Sequence, residues 1–389
     1  MKDLADRTHD LRQSNIRAIT LLLKDTNGIN LGQGICDMPT PDPIKAGAHA
    51  AIDGDESIYS FYGGIAPLRE AIAEKCRTYN RLPVTADHVM VSVGSTGAFV
   101  STLLTLFNPG DEVIVFEPYY GYHVNLLTVM GIGIRTITTT GPDWEIDFAA
   151  VEAAISDKTK AIIINTPGNP NGKVWSRTEL ETMLTLLEKH DLYAITDEIY
   201  EYMLYDGREH LSLASLPGAF ERTITLSGFS KTYNMTGWRL GYATGPREII
   251  DRMGLLSDLI YICAPTPLQH GVAEAFSMSD TYFDDMATAY ARKRELMCKT
   301  LEDIGFLVPW PQGAYYVLAD FSPLRKRFDG FEDDFAATRT LVDRAGVGTV
   351  AGRSFFTDEA DGSSCLRFCF AKEYPVLEDA CNRLRSAFG

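Results

Sequence analysis

The chain has 389 residues, of which 45% are hydrophobic and 23% are charged, so it is long enough to bury a large core and is not a disordered chain. Its 36 basic and 52 acidic residues give a formal net charge of −16. This balance argues against nucleic acid or an anionic membrane surface as the main partner, because both require a clustered basic face, and it favours a small substrate.

The N-terminal stretch, residues 1–25, is interrupted by charged residues and has no apolar core typical of a secretion signal. The seven cysteines are scattered and form no CxxC pair. We therefore expect reduced, mostly buried thiols in a cytoplasmic protein, and no disulfide framework or zinc site. The histidines show no metal-ligand spacing, so we expect no bound metal and interpret them as surface or satisfied core residues: His9, His49, His88, His123, His190, His210 and His270.

An uncharged stretch of 19 residues, from Val89 to Phe107, has the length of a membrane helix. Eight of these residues are Ser, Thr or Gly, however, and the stretch contains VGSTGA, which is typical of a loop that needs a permissive backbone. We predict a buried strand, a tight turn and a buried helix here, and no membrane span.

The middle of the chain alternates short apolar runs with amphipathic segments. Five runs rich in β-branched residues predict strands buried on both faces: HVMVSV, DEVIVFEP, KAIIINTP, LYAITDE and RTITLSG. Between the third and fourth runs, Ser176 and Glu179 form a capping-box pattern, and apolar residues follow at helical spacing. This order of strand, helix and strand predicts an α/β domain with a mainly parallel sheet flanked by helices.

The pattern changes after about residue 278, where a long, charged helical segment runs from Asp280 to about Asp303. A strand-like region, GFLVPWPQGAYYVLADF, follows it, with further helix and strand signals in DDFAATRTLVDRAGVGTVAG and SCLRFCFAK. We therefore predict a large domain over residues 45–285. A smaller α+β domain is expected to combine residues 286–389 with the N-terminal segment, residues 1–44.

Ligands of a parallel α/β sheet bind beyond the carboxyl ends of the strands, so the residues that follow each predicted strand are site candidates. The first strand is followed by Gly94-Ser95-Thr96-Gly97 at a helix start, where backbone N–H groups suit an anion, although an ordinary turn is an equal alternative. The further candidates in chain order are Tyr120, Asn169, Asp197, Tyr200, Lys231 and Arg239.

Several of these candidates also have a purely structural interpretation, and Tyr120 could simply belong to the core. Arg239 could form a surface ion pair, Asp197 could cap a helix, and Asn169 could serve a turn. Together, however, the candidates offer an anion cradle, a two-pronged guanidinium, an acid for a ring nitrogen, an aromatic lid, an amide donor and a lysine. A buried lysine amine loses its charge when it forms a Schiff base with a carbonyl. This set of groups describes a site for pyridoxal phosphate (PLP).

The same segments resemble a known family. Lys231 in SKTYNMTGWRLGY, with NTPGNPNG, DEIY, YSFYGG and CLRFCFA in this order over nearly the whole chain, resembles the fold-type I, class I/II aminotransferases of the aspartate, aromatic and kynurenine type. The resemblance implies a PLP-dependent enzyme that acts on amino acids and 2-oxo acids. It also implies a homodimer whose active sites are shared between the subunits.

The resemblance implies roles for the residues around the cofactor ring. Lys231 is expected to form the Schiff base and to carry the proton during catalysis. Asp197 is expected to pair with the ring nitrogen, and Asn169 and Tyr200 to donate to the ring oxygen. Tyr120 is expected to stack on the ring, at a position where many relatives carry Trp.

The resemblance also implies the residues that hold the phosphate and the substrate. Ser95, Thr96, Ser230 and Arg239 are expected to bind the phosphate, and Tyr59 to reach the phosphate of the neighbouring subunit. The substrate carboxylate is expected to bind Arg367 beside Asn169, with Gly34 lying against the substrate.

Two departures from the family pattern matter. Gly228 occupies a position where many relatives carry Ser or Thr, so a phosphate hydroxyl has to come from Ser230 or Ser227, or is missing. Many aspartate enzymes of the family carry an arginine for the distal carboxylate in the region that reads LIYICAPTPLQHG here, and this stretch has none. A neutral or aromatic amino acid is therefore favoured over a dicarboxylic one.

Two other functions remain open from the sequence. The same scaffold supports PLP-dependent lyases, synthases and oxidases, because the geometry around the substrate Cα selects the reaction. A PLP-binding transcription regulator would need an extra basic domain, whereas only about 30 residues precede NLGQG and the chain is acidic. The motifs of P-loop enzymes and of HExxH metalloproteases are absent from the sequence.

Overall fold

A seven-stranded sheet forms the centre of the larger part of the molecule. The computed structural model describes residues 3–8, 19, 23, 27–279 and 281–389. The strands of this sheet are β2 (Val89–Val93), β3 (Glu112–Glu117), β4 (Gly133–Thr138), β5 (Thr159–Asn165), β6 (Tyr193–Asp197), β7 (Thr223–Gly228) and β8 (Leu240–Thr244). Their order is β2-β8-β7-β6-β5-β3-β4, with β3 to β7 paired in parallel and β8 antiparallel to both β2 and β7. The predicted α/β fold with a mainly parallel sheet is confirmed.

The apolar runs of the sequence fill both faces of this sheet. In the central strand β5, Ile162 and Ile164 pack against the helix Arg177–Lys189, whereas Ile163 packs in the cluster that contains the helix Gly94–Leu106. Because successive side chains of a strand point to opposite faces, a continuous apolar run is what a sheet covered on both sides requires.

The helices of this part have the following bounds: α1 (Asp42–Asp53), α2 (Ala66–Thr78), α3 (Gly94–Leu106), α4 (Gly121–Val129), α5 (Phe148–Ala154), α6 (Arg177–Lys189), α7 (Arg247–Tyr261) and α8 (Thr266–Glu274). Ser176 and Glu179 form the predicted capping box at the start of α6. The uncharged stretch 89–107 folds as β2 followed directly by α3, as predicted. In the described part of the chain, no helix combines the length and the apolar character that a membrane crossing needs.

The C-terminal part is built on the long helix α9 (Thr281–Ile304). These bounds are close to the predicted span, Asp280 to about Asp303, although Asp280 itself lies outside the described residues. It also contains β9 (Tyr316–Asp320), α10 (Asp334–Ala345), β10 (Val347–Gly348), β11 (Val350–Ala351), α11 (Glu359–Gly362), β12 (Cys365–Cys369) and α12 (Tyr374–Phe388). Strand β12 lies between β11 and β9 in an antiparallel sheet of three strands. The side chains of α9, α12 and this sheet share one apolar core.

Strand β1 (Ile29–Asn30) joins the N-terminal segment to the C-terminal part, because it pairs in parallel with β10. Most of residues 1–26 lies outside the described residues, and the domain boundaries at 45 and 286 stay a prediction. The seven cysteines are all free thiols, and five of them are buried.

The structure differs from one prediction here. Of the strand-like region 305–321, only Tyr316–Asp320 forms a strand. Pro309, Pro311 and Gly313 precede it, and prolines cannot donate to a sheet while glycine weakens strand pairing.

Candidate active site

A cavity of about 400 Å³ lies at the carboxyl ends of the parallel strands, as the strand-end argument predicts. The structure brings ten of the predicted site residues to its wall: Gly34, Ser95, Thr96, Tyr120, Asn169, Asp197, Tyr200, Lys231, Arg239 and Arg367. The most distant of these residues lie more than 300 residues apart in sequence. Gly34 precedes the large sheet, whereas Arg367 belongs to β12 near the end of the chain.

Two predicted residues lie elsewhere. Tyr59 is 76% exposed on the outer surface, where it is accessible to another subunit but not to this cavity. Ser230 is buried next to Lys231 and is not among the residues that line the cavity, and its role as a phosphate ligand stays a prediction. The alternative, Ser227, donates its hydroxyl to Glu201 at 2.9 Å. Thr236, which the sequence analysis did not single out, does line the cavity.

Lys231 follows β7 and projects its amine toward the N-terminal segment. Its Nζ donates to the Gly34 carbonyl oxygen at 3.0 Å and lies 5.9 Å from the centre of the Tyr315 ring. Burial lowers the pKa of Lys231, and the nearby cations Arg239 and Arg367 act in the same direction. A lysine amine that loses its proton more easily than usual is a stronger nucleophile and a better general base at neutral pH.

Asp197 ends β6 and is 6% exposed. Its Oδ2 lies 3.0 Å from His123 Nε2, and its Oδ1 accepts from the backbone N–H of Ile199 at 3.3 Å. His123 also packs edge-on against the Tyr120 ring, with 5.1 Å between the ring centres. A buried carboxylate held in this way can pair with a cationic ring nitrogen that enters the cavity.

The start of α3 and the Arg239 guanidinium form an anion cradle. Arg239 has a left-handed backbone with φ 58°, and its Nη1 donates to the Thr236 carbonyl oxygen at 3.1 Å. A Cβ at Gly94 would lie 2.5 Å from Arg239 Nη2, so only glycine lets the guanidinium approach the helix N-terminus this closely. Arg239 has no carboxylate partner among the described residues, which leaves it available for a phosphate.

Arg367 is 1% exposed and also lacks an anion in the described part of the chain. Its Nη1 donates to Asn169 Oδ1 at 2.8 Å and its Nη2 donates to the Gly32 carbonyl oxygen at 2.6 Å. Its Nε is buried without a hydrogen-bond partner. Because a buried cation is costly without a counter-charge, this guanidinium is arranged to receive an anion from a ligand.

Two tyrosines that face the cavity are linked through their hydroxyl groups. Tyr200 donates to the Tyr316 hydroxyl oxygen at 3.3 Å. Burial raises the pKa of both side chains, and that of Tyr316 to about 12, so both remain neutral donors at physiological pH. Tyr120 is a third tyrosine of the cavity wall, half-buried, and desolvation raises its pKa as well.

The sequence analysis missed His123, Tyr316 and Thr236. His123 stands in the segment that directly follows β3, so the rule that selected Tyr120 could have found it. Tyr316 begins a strand of the other part of the molecule, and no local signal relates it to the large sheet.

A second buried polar cluster lies behind the cavity wall. Glu198, Glu201 and His210 could each offer one atom to a metal ion. Their side chains are already engaged, however: His210 Nε2 lies 2.7 Å from Glu198 Oε2, and Lys75 Nζ lies 2.5 Å from Glu201 Oε2. An ammonium group next to Glu201 occupies the place where a cation would bind, so this cluster does not fit a metal site.

The segment 197–201 therefore contributes side chains to both the cavity and this second cluster. Asp197, Ile199 and Tyr200 line the cavity, while Glu198 and Glu201 belong to the second cluster. Among the described residues, the cavity is lined by one carboxylate, Asp197, and by the three cations Lys231, Arg239 and Arg367. It is thus suited to a ligand with several negative charges, in a protein whose net charge is −16.

Comparison with known proteins places these features in context. The family model described as aminotransferase class I and II matches residues 26–384. An aspartate/prephenate aminotransferase of Thermus thermophilus is 36% identical and is covered over 100% of its length by 100% of this chain. An aromatic-amino-acid aminotransferase of Thermococcus litoralis is 33% identical, with 98% of this chain and 97% of that protein covered.

The solved structures include an N-succinyldiaminopimelate aminotransferase of Mycobacterium tuberculosis. It is 31% identical and superimposes with a TM-score of 0.94 over 99% of this chain and 100% of that chain. The likeness thus extends over the central sheet and the C-terminal part together.

Proposed function

Since the chain belongs to the class I and II aminotransferases, we propose that it moves an amino group from an L-amino acid with a neutral or aromatic side chain to a 2-oxo acid, with PLP as cofactor, in a ping-pong sequence. The fold is that of the fold-type I aminotransferases, and the chain is an aminotransferase. The observation that carries the proposal is the common cavity of Lys231, Asp197 and the unpaired, buried Arg367.

The donor set of the cavity fits PLP. The phosphate would be held by Ser95, Thr96 and Arg239 at the start of α3, with Thr236 as a further hydroxyl. Asp197 would hold a proton at the ring nitrogen, and His123 would orient its carboxylate. PLP supplies a reactive carbonyl and an aromatic ring that accepts electrons from the substrate Cα.

The remaining ring contacts come from neutral donors. Asn169 and Tyr200 would donate to the ring oxygen, and Tyr120 would cover one face of the ring. Lys231 would bind the cofactor covalently through Nζ. Its released amine would take a proton from the substrate Cα and return it to the carbonyl carbon of the cofactor. The lowered pKa of Lys231 supports this role, since the amine has to be neutral to accept a proton.

Arg367 would bind the substrate carboxylate. Its two engaged N–H groups fix the guanidinium plane against Asn169 and Gly32, and the remaining N–H groups are free to form two parallel bonds with a carboxylate. A substrate held in this way presents its Cα–H bond in one orientation, which favours proton removal over loss of the carboxylate. This arrangement supports transamination.

The cavity wall supports the proposed substrate preference. Apart from Lys231, Arg239 and Arg367, it contains no cation among the described residues. Apolar and aromatic side chains occupy its outer part, including Ile35 and Tyr122, which are 40% and 48% exposed. A second carboxylate on the substrate would find no further cation among the described cavity residues, whereas an apolar or aromatic side chain would bury against Ile35 and Tyr122.

We propose a homodimer in the cytoplasm as the functional form. The segment 58–61 is held on the large domain by the hydroxyl of Thr266, which donates to the Ile58 carbonyl oxygen at 2.7 Å. Large apolar side chains are exposed on this segment and on α7: Ile58 at 72%, Tyr59 at 76% and Leu259 at 82%. Such a surface supports burial against a second subunit, which would bring Tyr59 to the partner's phosphate site. Light scattering after size-exclusion chromatography tests the dimer.

The activity is tested with purified, PLP-loaded protein and a panel of amino acids. We expect neutral and aromatic amino acids to convert the absorption of the bound cofactor to that of its amine form in one stoichiometric step. Continued oxo-acid formation should require an added 2-oxo acid acceptor. Multiple turnovers without an acceptor would instead favour a lyase or an oxidase, and preferred conversion by aspartate or glutamate would contradict the substrate preference.

A further inference from the structure

Tyr316 contacts two parts of the active site at once. It is the first residue of β9, is 3% exposed and lines the cavity. Its hydroxyl oxygen lies 3.3 Å from that of Tyr200, and the guanidinium carbon of Arg367 lies 4.4 Å from the centre of its ring. One side chain thus touches both the donor that faces the cofactor ring and the cation that faces the substrate carboxylate.

The surroundings of Tyr316 keep its hydroxyl in place. A Cβ at Gly34 would overlap this hydroxyl, so the glycine backbone closes one side of it. The Tyr315 ring lies against it with 4.8 Å between ring centres, and Tyr200 packs edge-on at 5.9 Å. A side chain packed against three neighbours beside the cavity can orient those neighbours, because close packing restricts its rotamers.

The number of protons on each phenol determines the direction of the hydrogen bond between Tyr200 and Tyr316. A phenol has one proton to donate and can also accept. When Tyr200 donates to Tyr316, as in this structure, it cannot donate to a ligand. When Tyr200 donates to a cofactor oxygen, its own oxygen becomes free to accept, and Tyr316 is the neutral hydroxyl at hydrogen-bond distance. Donation from Tyr316 then polarises Tyr200 and makes it a stronger donor.

We propose that Tyr316 is a positioning residue of this aminotransferase, whose hydroxyl orients and strengthens Tyr200 as the donor to the cofactor ring oxygen and whose ring fixes the guanidinium plane of Arg367. The inference rests on the proposed function, because it requires PLP in this cavity. It assigns two separable tasks to one side chain: the hydroxyl acts on the cofactor, and the ring acts on the substrate clamp.

The groups that face Tyr316 are three phenols, one thiol and one guanidinium: Tyr120, Tyr200, Tyr315, Cys369 and Arg367. Burial raises the pKa of the three tyrosines, and it raises the pKa of Cys369 to about 11. At the other end of the ring Asp197 is paired with His123, and Lys231 is occupied by the cofactor. The cofactor absorption responds to the proton next to the ring oxygen, and the comparison of matched variants isolates the contribution of Tyr316 to it.

The experiment titrates the visible absorption of PLP-loaded wild type, Tyr316→Phe and Tyr316→Leu with pH, and measures KM and kcat for one amino acid. A weaker donor to the ring oxygen makes that oxygen more basic, so Tyr316→Phe is expected to move the midpoint upward by about 0.3 to 1 pH unit. Its KM should stay close to the wild-type value because the ring under Arg367 remains. Tyr316→Leu should show the same upward shift and a KM increased by about 5- to 30-fold, since the cation–π contact is lost.

A double variant tests whether Tyr316 acts through Tyr200. In a Tyr200→Phe background, the additional Tyr316→Phe exchange should leave the midpoint unchanged, because the two hydroxyl groups form one chain. The control is Tyr205→Phe, which removes another buried hydroxyl, one that donates to the Ala314 carbonyl oxygen and does not line the cavity. This variant should titrate like the wild type.

Each outcome decides between the hypotheses. An unchanged midpoint in Tyr316→Phe, an additive shift in the double variant, or equal effects of Phe and Leu on KM would overturn the inference and leave the proposed function intact. A wild-type protein that binds no PLP and shows no pH-dependent band would instead overturn the proposed function itself, and the inference with it.

Discussion

Replacing Arg367 by lysine tests the substrate clamp most directly. A guanidinium has five N–H groups, and here one on Nη1 and one on Nη2 are used by Asn169 and Gly32. Three N–H groups remain, including the unpartnered one on Nε, which is enough for two parallel bonds to a carboxylate. Lysine keeps the charge, but its single nitrogen cannot make the same contacts and bind both carboxylate oxygens.

The expected loss follows from this count. Two charge-assisted hydrogen bonds, of which lysine retains about one, correspond to a loss of about 1.5–3 kcal/mol in transition-state binding. Arg367→Lys should therefore lower kcat/KM for an amino acid by about 10- to 200-fold. For a primary amine with the same side chain but no carboxylate, the rate should be nearly unchanged, because the clamp has nothing to bind.

The assay is the single-turnover conversion of the bound cofactor by each of the two compounds. Arg294→Lys is a matched control, because Arg294 is also buried but is paired with Asp206 at 2.8 Å and lies outside the cavity. This control should keep the wild-type ratio of amino-acid to amine rates. An equal loss with both compounds in Arg367→Lys would mean that the site is distorted, and no loss with the amino acid would refute the carboxylate role.

Three further results are expected. Burial lowers the pKa of Lys231 below its unfolded value, so the charged amine destabilises the cofactor-free fold. This penalty is complete at a pH below the folded pKa and fades as the pH rises toward 10.5. Lys231→Met should thus raise the unfolding temperature at pH 7 in calorimetry and lose this advantage near pH 10.5. Glu201→Gln should lower the free energy of unfolding by about 3–5 kcal/mol in urea titrations because it leaves the largely buried ammonium of Lys75 without its carboxylate partner, whereas adding Lys75→Met should restore most of the loss. Gly94→Ala should weaken PLP binding by about tenfold in fluorescence titrations, because the new Cβ would lie 2.5 Å from Arg239 Nη2 at a backbone φ of 69°, and unchanged affinity would contradict the cradle.

Most strands of the central sheet could be predicted because each has a local sequence signal. Runs such as Ala161–Ile164 are apolar throughout, and a run of this kind is stable only where both faces are covered. Two strands of the sheet were not predicted. The edge strand β4 carries the exposed Arg135, and β8 has Gly241 in its centre, so neither has the composition of a buried strand. Strand β8 is buried because of its neighbours β2 and β7, which no local pattern reveals.

The strand-end rule and the family resemblance together predicted most residues of the candidate site. Both point to residues that stand next to a recognisable segment, such as Asp197 at the end of β6. Ser230 shows the limit of this argument, because adjacency to Lys231 in sequence does not decide which side chain enters the cavity. Tyr316 reaches the site because β9 shares a core with Ile199 and Tyr200, which follow β6, and such packing depends on contacts between residues far apart in the chain.

The segment from Asp197 to Glu201 has a consequence for how this protein can change. Its residues serve two networks in turn, the ligand cavity on one side and the Lys75 ion pair on the other. Inserting or deleting one residue within this stretch would shift one end against the other, so the cavity and the ion pair could not both keep their present side chains. Substitutions can tune either network separately, but the length of this short stretch is fixed by both.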